Sequence, residues 1–143
     1  MGDFTNPAKI ADSDKDYDRF VLDAPCSGTG TWRRSPDAKF RLTKEKLYGL
    51  TQIQAKLLNI ASQKTTKNGR IIYITCSVLK DENEDIIEKF LSQNENFAPI
   101  NLKELWEKKT DTPYPYVDEK YLRMSPLSTS TDGFFVCILE RLY

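Results

Sequence analysis

Two short, continuous apolar runs along the chain each end in a polar segment that contains a cysteine. Residues 20–22 (FVL) are closed by 23–26 (DAPC), and residues 71–74 (IIYI) are closed by 75–77 (TCS). Uninterrupted apolar runs of this length are typical of strands buried on both faces, as in a parallel sheet. Both runs are therefore predicted to be strands of that kind.

A long helix is predicted between these strands. Thr43 is a suitable N-cap, and the Asn68-Gly69 pair is a suitable stop. The apolar residues between them recur at the spacing of one helical face: Leu47, Leu50, Ile53, Leu57, Leu58 and Ala61.

A second helix is predicted after the second strand, because Asp81 and Glu84 have the spacing of a capping box. Its apolar stripe consists of Ile86, Ile87, Phe90 and Leu91. Five acids occupy its first turns, where the helix dipole favours negative charge: Asp81, Glu82, Glu84, Asp85 and Glu88. A structural role accounts for all five.

The last third of the chain is predicted to contain less regular structure. Residues 97–102 (FAPINL) suit a short strand, which Pro99 restricts to the edge of a sheet. Residues 108–132 are rich in Pro, Ser, Thr and Asp and are predicted to form a loop, and residues 133–142 (GFFVCILERL) a strand. The order strand, helix, strand, helix predicts an α/β fold with a parallel sheet.

Length and composition fit one packed domain. The 143 residues are 39% hydrophobic and 29% charged, which argues against wholesale disorder. No apolar run is long enough to span a membrane, and the first ten residues lack the pattern of a signal peptide. We therefore expect a cytoplasmic protein with no membrane association.

The cysteine and histidine content excludes several kinds of catalytic and metal site. The chain has three cysteines, no C-x-x-C motif and no histidine. Free thiols are expected in place of a disulfide framework, and Cys-His pairs and Ser-His-Asp triads are ruled out. No metal site is expected.

Positive charge is concentrated in one segment although the chain as a whole is neutral. Lysine plus arginine equals aspartate plus glutamate, at 21 each. Residues 33–46 nevertheless contain six basic residues against two acids: Arg33, Arg34, Lys39, Arg41, Lys44 and Lys46, opposed by Asp37 and Glu45. This segment is either an ordinary solvated surface or a site of contact with nucleic-acid phosphates.

Cys26 and Cys76 occupy equivalent places, each just beyond the carboxyl end of a predicted strand. Open α/β sheets bind ligands at that edge, so two neighbouring strands would bring both thiols into one crevice. The alternative is that both are small buried side chains, which is our prediction for Cys137 in the middle of the last strand. Asp23 and the Ser-Gly-Thr-Gly turn beside Cys26 favour a chemical role, because exposed backbone N–H groups stabilise a thiolate.

The motifs DAPCSGTG (23–30) and TCSVLKDENEDII (75–87) closely resemble two signatures of the Sun-type RNA 5-methylcytosine methyltransferases. That family includes the bacterial enzymes that methylate 16S ribosomal RNA. RRSPDAKFR (33–41) and TDGFFVCIL (131–139) are similar to family segments at corresponding places, so the resemblance runs from about residue 18 to the C-terminus. It implies a Rossmann-like fold dependent on S-adenosylmethionine, with a mostly parallel sheet and a C-terminal antiparallel strand.

The resemblance also implies roles for individual residues. Cys76 is the nucleophile that adds to carbon 6 of cytosine, which activates carbon 5, and Cys26 assists elimination of the enzyme–RNA adduct. Asp23 lies between S-adenosylmethionine and the base and engages a ring nitrogen, and Pro25 shapes the base pocket. The implied substrate is RNA, most specifically ribosomal RNA, and Arg33 and Arg34 are the candidates for contacting it.

The chain departs from the family pattern before Asp23. The glycine-rich cofactor loop and the RNA-docking region should precede that residue, but only 22 residues do so. A histidine often found before TDGFF is also absent, because Leu127 follows Pro126 there. Residues 1–143 are therefore expected to form a single, partial catalytic domain, the C-terminal half of the methyltransferase fold. Asp3 is a candidate cofactor contact, with an ordinary surface aspartate as the alternative.

Half of such a sheet would leave one strand edge exposed, so we expect self-association or a companion polypeptide that completes the sheet. Two other functions stay open. One is a non-catalytic remnant or subunit that binds RNA or a partner protein. The other is a thiol redox protein, which the 50-residue separation of Cys26 and Cys76 disfavours.

Overall fold

The computed structural model describes residues 16–143. Five strands are present in this part: β1 (Tyr17–Asp23), β2 (Thr65–Thr75), β3 (Phe97–Pro99), β4 (Tyr121–Met124) and β5 (Phe134–Arg141). The helices are α1 (Lys44–Gln63), α2 (Glu84–Gln93), α3 (Leu102–Glu107) and α4 (Pro126–Thr129). Short 3-10 turns occupy Thr29–Thr31, Pro36–Phe40 and Lys80–Glu82. Within residues 16–143, no helix combines the length and the apolar character needed to cross a bilayer.

The sheet has the strand order β1-β2-β5, and both β3 and β4 pair with the far edge of β5. β1 and β2 are parallel, whereas β5 is antiparallel to β2, β3 and β4. Four strands therefore share one direction and β5 opposes them. The predicted α/β fold, with a mostly parallel sheet and a C-terminal antiparallel strand, is confirmed.

One face of this sheet forms the core. Its strands direct alternate side chains inward, and these pack with apolar residues of α1 and α2. The strand contribution is Phe20, Leu22, Ile71, Tyr73, Phe97, Tyr121, Phe135, Cys137 and Leu139, and the helix contribution is Leu57, Leu58, Ala61, Ile86, Ile87 and Phe90. Burial on both faces was predicted for the first strand, and this is wrong within residues 16–143: Val21, which points the other way, is 54% exposed.

The long helix is shorter than predicted. Thr43 caps its start as expected, accepting a hydrogen bond from the Lys46 amide, but the helix ends at Gln63. Asn68-Gly69 lies inside β2, and the pairing of β1 with β2 is irregular around it. Asn68 has a φ of 59°, a left-handed conformation that asparagine tolerates, so this dipeptide bends a strand and does not stop a helix.

The segment predicted to be a loop contains β4 and α4. β4 has only four residues, of which Tyr121 is the buried one, and its hydrogen-bonding partner is β5. So short a strand gives little signal of its own, since pairing with β5 stabilises it. The short strand predicted over 97–102 is also shorter than predicted, because β3 ends at Pro99 and α3 begins at Leu102.

The start of the second helix differs from the predicted capping box. A 3-10 turn over Lys80–Glu82 comes first, and α2 begins at Glu84 after Asn83, which makes no side-chain cap. Glu82, Asn83 and Glu84 are all buried. Glu82 and Asn83 point toward the strand ends that carry the cysteines, whereas Glu84 forms an ion pair with Arg123 of β4.

Candidate active site

The two cysteines meet at the carboxyl ends of β1 and β2. These strands are parallel neighbours, with Asp23 opposite Ile74, so the segments that follow them leave the sheet side by side. The Cys26 and Cys76 sulfur atoms lie 3.4 Å apart, and both side chains are partly exposed. The expectation that the two thiols share one crevice is confirmed.

The two thiols differ strongly in acidity. A hydrogen bond from the Cys26 thiol is the main reason that the pKa of Cys76 falls to about 7, against the opposing effects of burial and of the Asp23 and Glu82 charges. The same contact, together with burial, raises the pKa of Cys26. Near neutral pH, Cys26 is therefore a protonated donor and Cys76 is the thiolate of the pair.

Backbone hydrogen bonds fix the Cys26 segment against the Cys76 segment. The Ala24 amide donates to the Ile74 carbonyl and the Gly30 amide to the Cys76 carbonyl, each at 2.9 Å. Gly28, between them, has a φ of 66°, which the absence of a side chain permits. The chain can therefore turn back toward Cys76 within a few residues of Cys26.

A third segment closes on the same loop. The Gly133 amide, just before β5, donates to the Gly30 carbonyl at 2.9 Å. The two backbones are so close that a Cβ atom on Gly30 would lie 2.3 Å from the Gly133 carbonyl oxygen. Three segments far apart in sequence, around residues 26–30, 76–78 and 131–133, thus meet at one place.

Hydroxyl groups add a second layer of contacts behind the cysteines. Thr29 Oγ1 lies 3.0 Å from Ser77 Oγ and accepts a hydrogen bond from the Val78 amide at 3.0 Å. The Ser77 hydroxyl in turn accepts from the Leu79 amide. Because Thr29 and Ser77 are buried, these bonds are shielded from water and hold the two cysteine segments together.

Glu82 and Gln54 also belong to this site, and the sequence interpretation missed both. Glu82 is fully buried, and its carboxylate accepts hydrogen bonds from the Ser27 amide at 2.8 Å and from Gln54 Nε2 at 3.0 Å. Gln54 Nε2 also donates to the Pro25 carbonyl at 2.9 Å. The available signal was Gln54 itself, a polar residue within the apolar stripe of a helix.

Asp23 and Pro25 are exposed at the same edge of the sheet. Asp23 ends β1 and is close enough to Cys76 for its charge to affect the Cys76 thiol. The structure therefore brings Asp23, Pro25, Cys26 and Cys76 together. Asp3 lies outside the described residues.

Arg33 and Arg34 follow the Cys26 loop and pair with Asp132, which precedes Gly133. Their Nη2 atoms lie 3.8 Å and 2.6 Å from the Asp132 carboxylate. Both arginine side chains are about two-thirds exposed, at 65% and 66%, whereas that of Asp132 is 14% exposed. The arginines are thus anchored at one end and open to solvent at the other.

Cys137 takes no part in the site. It is fully buried in β5, as predicted, and burial raises the pKa of its thiol. Within residues 16–143, no group of three or more histidine, cysteine, aspartate or glutamate side chains is arranged to hold a metal ion.

Comparison with known proteins identifies the family. The family described as 16S rRNA methyltransferase RsmB/F matches residues 1–140. The chain belongs to this family. It is 37% identical over 135 residues to the ribosomal RNA small subunit methyltransferase B of Salmonella agona. It is 32% identical over 126 residues to the probable ribosomal RNA small subunit methyltransferase B of Bacillus subtilis. These matches cover 94% and 87% of the chain, but the chain spans only 28% of the length of each relative.

A solved structure has the same Rossmann-like fold. NSun6 from Pyrococcus horikoshii, crystallised with SFG, superposes with a TM-score of 0.77 at 21% identity, over 96% of this chain and 33% of that one. The RsmB/F family consists of methyltransferases that use S-adenosylmethionine.

The described residues fit one side of a site for S-adenosylmethionine. Of the two strands that end at the cysteine edge within residues 16–143, only β1 ends in a carboxylate, Asp23, which is exposed and adjoins Cys76. A sulfonium group is positively charged, so an exposed carboxylate at this edge is chemically compatible with it. Asp23 is thus the described residue suited to contact this cofactor.

Proposed function

We propose that the protein to which this chain belongs methylates carbon 5 of cytosine in ribosomal RNA through a covalent adduct with Cys76. The observation that carries the proposal is the 3.4 Å contact between the sulfur atoms of Cys26 and Cys76, which makes Cys76 the more acidic thiol. S-adenosylmethionine, when bound, supplies the electrophilic methyl group. An rRNA substrate also supports the expected cytoplasmic location.

Cys76 performs the activating step. Its thiolate forms a bond to carbon 6 of cytosine, and the electron pair of the 5,6 double bond shifts toward carbon 5, which becomes nucleophilic. Asp23, at the end of β1, is placed to engage the ring nitrogen and so to hold the base in the orientation for attack. A thiol with a pKa of about 7 is substantially ionised at neutral pH, as this step requires.

Cys26 assists the release step. After carbon 5 has been methylated, it gives up its proton to solvent water, the electron pair of that C–H bond forms the 5,6 double bond again, and the bond between carbon 6 and sulfur breaks. The electron pair of that bond leaves on Cys76, whose thiolate is stabilised by the hydrogen bond from Cys26. The protonated state of Cys26 therefore favours expulsion of Cys76 from the product.

The substrate base must leave its stack to reach the two thiols. Both cysteines are partly buried, while Asp23 and Pro25 stand exposed beside them, so an extruded base would approach past these two residues. Pro25 is held by Gln54 through its carbonyl, which supports its proposed role as a wall of the base pocket.

RNA that carries 5-fluorocytosine tests the proposed function. Fluorine at carbon 5 replaces the proton that must leave, so the adduct persists after methyl transfer. We expect this RNA to form a covalent complex, visible on a denaturing gel, only when S-adenosylmethionine is added. If the chain binds RNA but forms no complex, that result would contradict catalysis by this chain and favour a non-catalytic RNA-binding role.

Arg33 and Arg34 are proposed to contact RNA phosphates, because both are mostly exposed and lie next to the Cys26 loop. Changing both to glutamine should weaken RNA binding roughly tenfold and reduce the slope of log affinity against log salt by about 1.4. The control, Lys103→Gln in α3 with Lys108→Gln just after it, removes the same charge elsewhere. Equal losses in the two double variants, measured by fluorescence anisotropy, would count against a specific contact.

We also propose that the outer edge of β1 is completed by a second copy of the chain or by a companion polypeptide. Within residues 16–143, β1 pairs only with β2, and Val21 is 54% exposed. Light scattering is expected to give a mass above 16.5 kDa for the chain alone or with its companion. A stable particle of 16.5 kDa that retains methyl transfer would contradict this proposal.

A further inference from the structure

Glu82 is a buried acid for which the proposed mechanism has no use. It is 0% exposed, and none of the ion pairs formed among residues 16–143 includes it. A buried carboxylate without a cation is costly unless hydrogen-bond donors surround it. The identity of those donors therefore indicates what the residue does.

The donors to Glu82 come from the loop that carries Cys26. The Ser27 amide donates to Oε1 at 2.8 Å, and the Ser27 hydroxyl donates to Oε2 at 2.5 Å. Gln54 Nε2 donates to Oε1 and also to the carbonyl of Pro25. The residues on both sides of Cys26 are thus attached to Glu82, one directly and one through Gln54.

The neighbouring residue, Asn83, holds the other cysteine in the same way. Its Oδ1 accepts from the Thr75 hydroxyl at 2.6 Å, and its Nδ2 donates to the Ser77 carbonyl at 2.9 Å. Both residues beside Cys76 are therefore bonded to Asn83. The consecutive side chains of Glu82 and Asn83 thus hydrogen-bond to the two cysteine segments, so the distance between the sulfur atoms depends on this dipeptide.

We propose that Glu82 is a positioning residue that holds the Cys26 loop so that the Cys26 thiol stays in contact with the Cys76 sulfur. This inference rests on the proposed function only in treating Cys76 as the nucleophile. Asn83 is the complementary support on the Cys76 side. Neither residue touches the reacting atoms.

Positioning and simple electrostatics predict opposite effects for removal of Glu82. The negative charge of Glu82 by itself raises the pKa of Cys76, so losing that charge alone would lower this pKa. The hydrogen bond from Cys26 is the larger influence and lowers the pKa of Cys76. If Cys26 moves away and that hydrogen bond is lost, the pKa of Cys76 should therefore rise.

The test is the pH dependence of Cys76 alkylation by iodoacetamide, followed by mass spectrometry of the Cys76 peptide. The midpoint for the unmodified chain is expected near pH 7. Glu82→Ala should move it toward pH 8.5, the value of an ordinary cysteine, and slow alkylation at pH 7 about tenfold. Glu82→Gln keeps an acceptor for the Ser27 amide, so its midpoint should stay near that of the unmodified chain or fall below it.

Two controls complete the test. Glu88→Ala removes an exposed acid from α2, the helix that follows Glu82, and should leave the midpoint unchanged. Cys26→Ala should raise the midpoint as Glu82→Ala does, and combining both changes should add nothing further, because both act through one hydrogen bond. If circular dichroism shows that Glu82→Ala does not fold, Gln54→Leu releases the loop from its other support and should raise the midpoint in the same direction.

An unchanged or lowered midpoint in a folded Glu82→Ala chain, or in Gln54→Leu if it takes its place, would overturn the positioning role. Alkylation requires neither RNA nor cofactor, whereas the 5-fluorocytosine experiment requires both. A normal titration result combined with no adduct would therefore leave the positioning role intact and count against the proposed function alone. An adduct combined with an unchanged or lowered midpoint would leave the proposed function intact and count against the positioning role alone.

Discussion

The Cys76→Ala chain is expected to form no covalent complex with 5-fluorocytosine RNA, and its rate of methyl transfer should fall by on the order of 10⁴-fold or more. Neither remaining thiol is a good substitute, because burial by itself still raises the pKa of Cys26 and Cys137 is fully buried. The measurements are gel analysis of the complex and transfer of a radioactive methyl group to RNA. A complex of undiminished yield would show that another residue is the nucleophile.

Cys26→Ala should produce a different defect from Cys76→Ala. It retains the nucleophile but loses the donor that stabilises the departing thiolate, so a covalent complex should accumulate even with ordinary cytosine RNA. Formation of that complex at pH 7 should also slow about tenfold, since the pKa of Cys76 rises toward that of an ordinary cysteine. Cys137→Ala controls for the loss of a thiol and should form the complex only with the fluorinated RNA.

Gly30→Ala is expected to destabilise the protein by about 3 kcal/mol, at the upper end of the usual cost of overpacking. The added Cβ would lie 2.3 Å from the Gly133 carbonyl oxygen. Neither atom can rotate out of the way, because a Cβ is fixed by its own backbone and the oxygen is part of the backbone. Urea unfolding would measure the change in the free energy of unfolding. The loop that carries Cys26 should also shift away from Gly133, which weakens the contact between Cys26 and Cys76. The Cys76 thiol should therefore become less acidic.

Gly49→Ala is a matched control for that experiment, because the same substitution there should have the opposite sign. Gly49 lies inside α1, and a Cβ at this position would have no neighbour within 4 Å. Alanine is the better helix former by about 0.5–1 kcal/mol, so this variant should be more stable than the unmodified chain. If Gly30→Ala costs less than about 1 kcal/mol, the two backbones are less closely packed than the structure indicates.

The sequence predicted the positions of the two cysteines well, for a definable reason. A parallel sheet places the carboxyl ends of its strands at one edge, so two apolar runs that each end near a cysteine largely determine where the thiols lie. The presence of both thiols at the same place on that edge needed only that β1 and β2 be neighbours. The contribution of Gly133 depends on how β5 enters the sheet, which no local pattern reveals.

The parts that the sequence could not predict depend on pairing and on orientation. The four residues of β4 are strand because β5 is beside them, and Asn68-Gly69 bends a strand where local preference predicted the end of a helix. Glu82 was attributed to the helix dipole, since five acids near a helix start look equivalent in one dimension. Only the structure shows that Glu82 turns inward while Glu88 faces solvent.

Because β5 lies in the middle of the sheet, the order of synthesis determines when the sheet can be completed. β5 is the last element of this chain to be synthesised, yet it lies between β2 on one side and β3 and β4 on the other. Until it emerges from the ribosome, β2 has an unoccupied flank and Gly30 lacks the amide of Gly133. The hydrogen bond between Gly133 and Gly30 therefore forms only after β5 has been synthesised, later than the two strands that carry the cysteines.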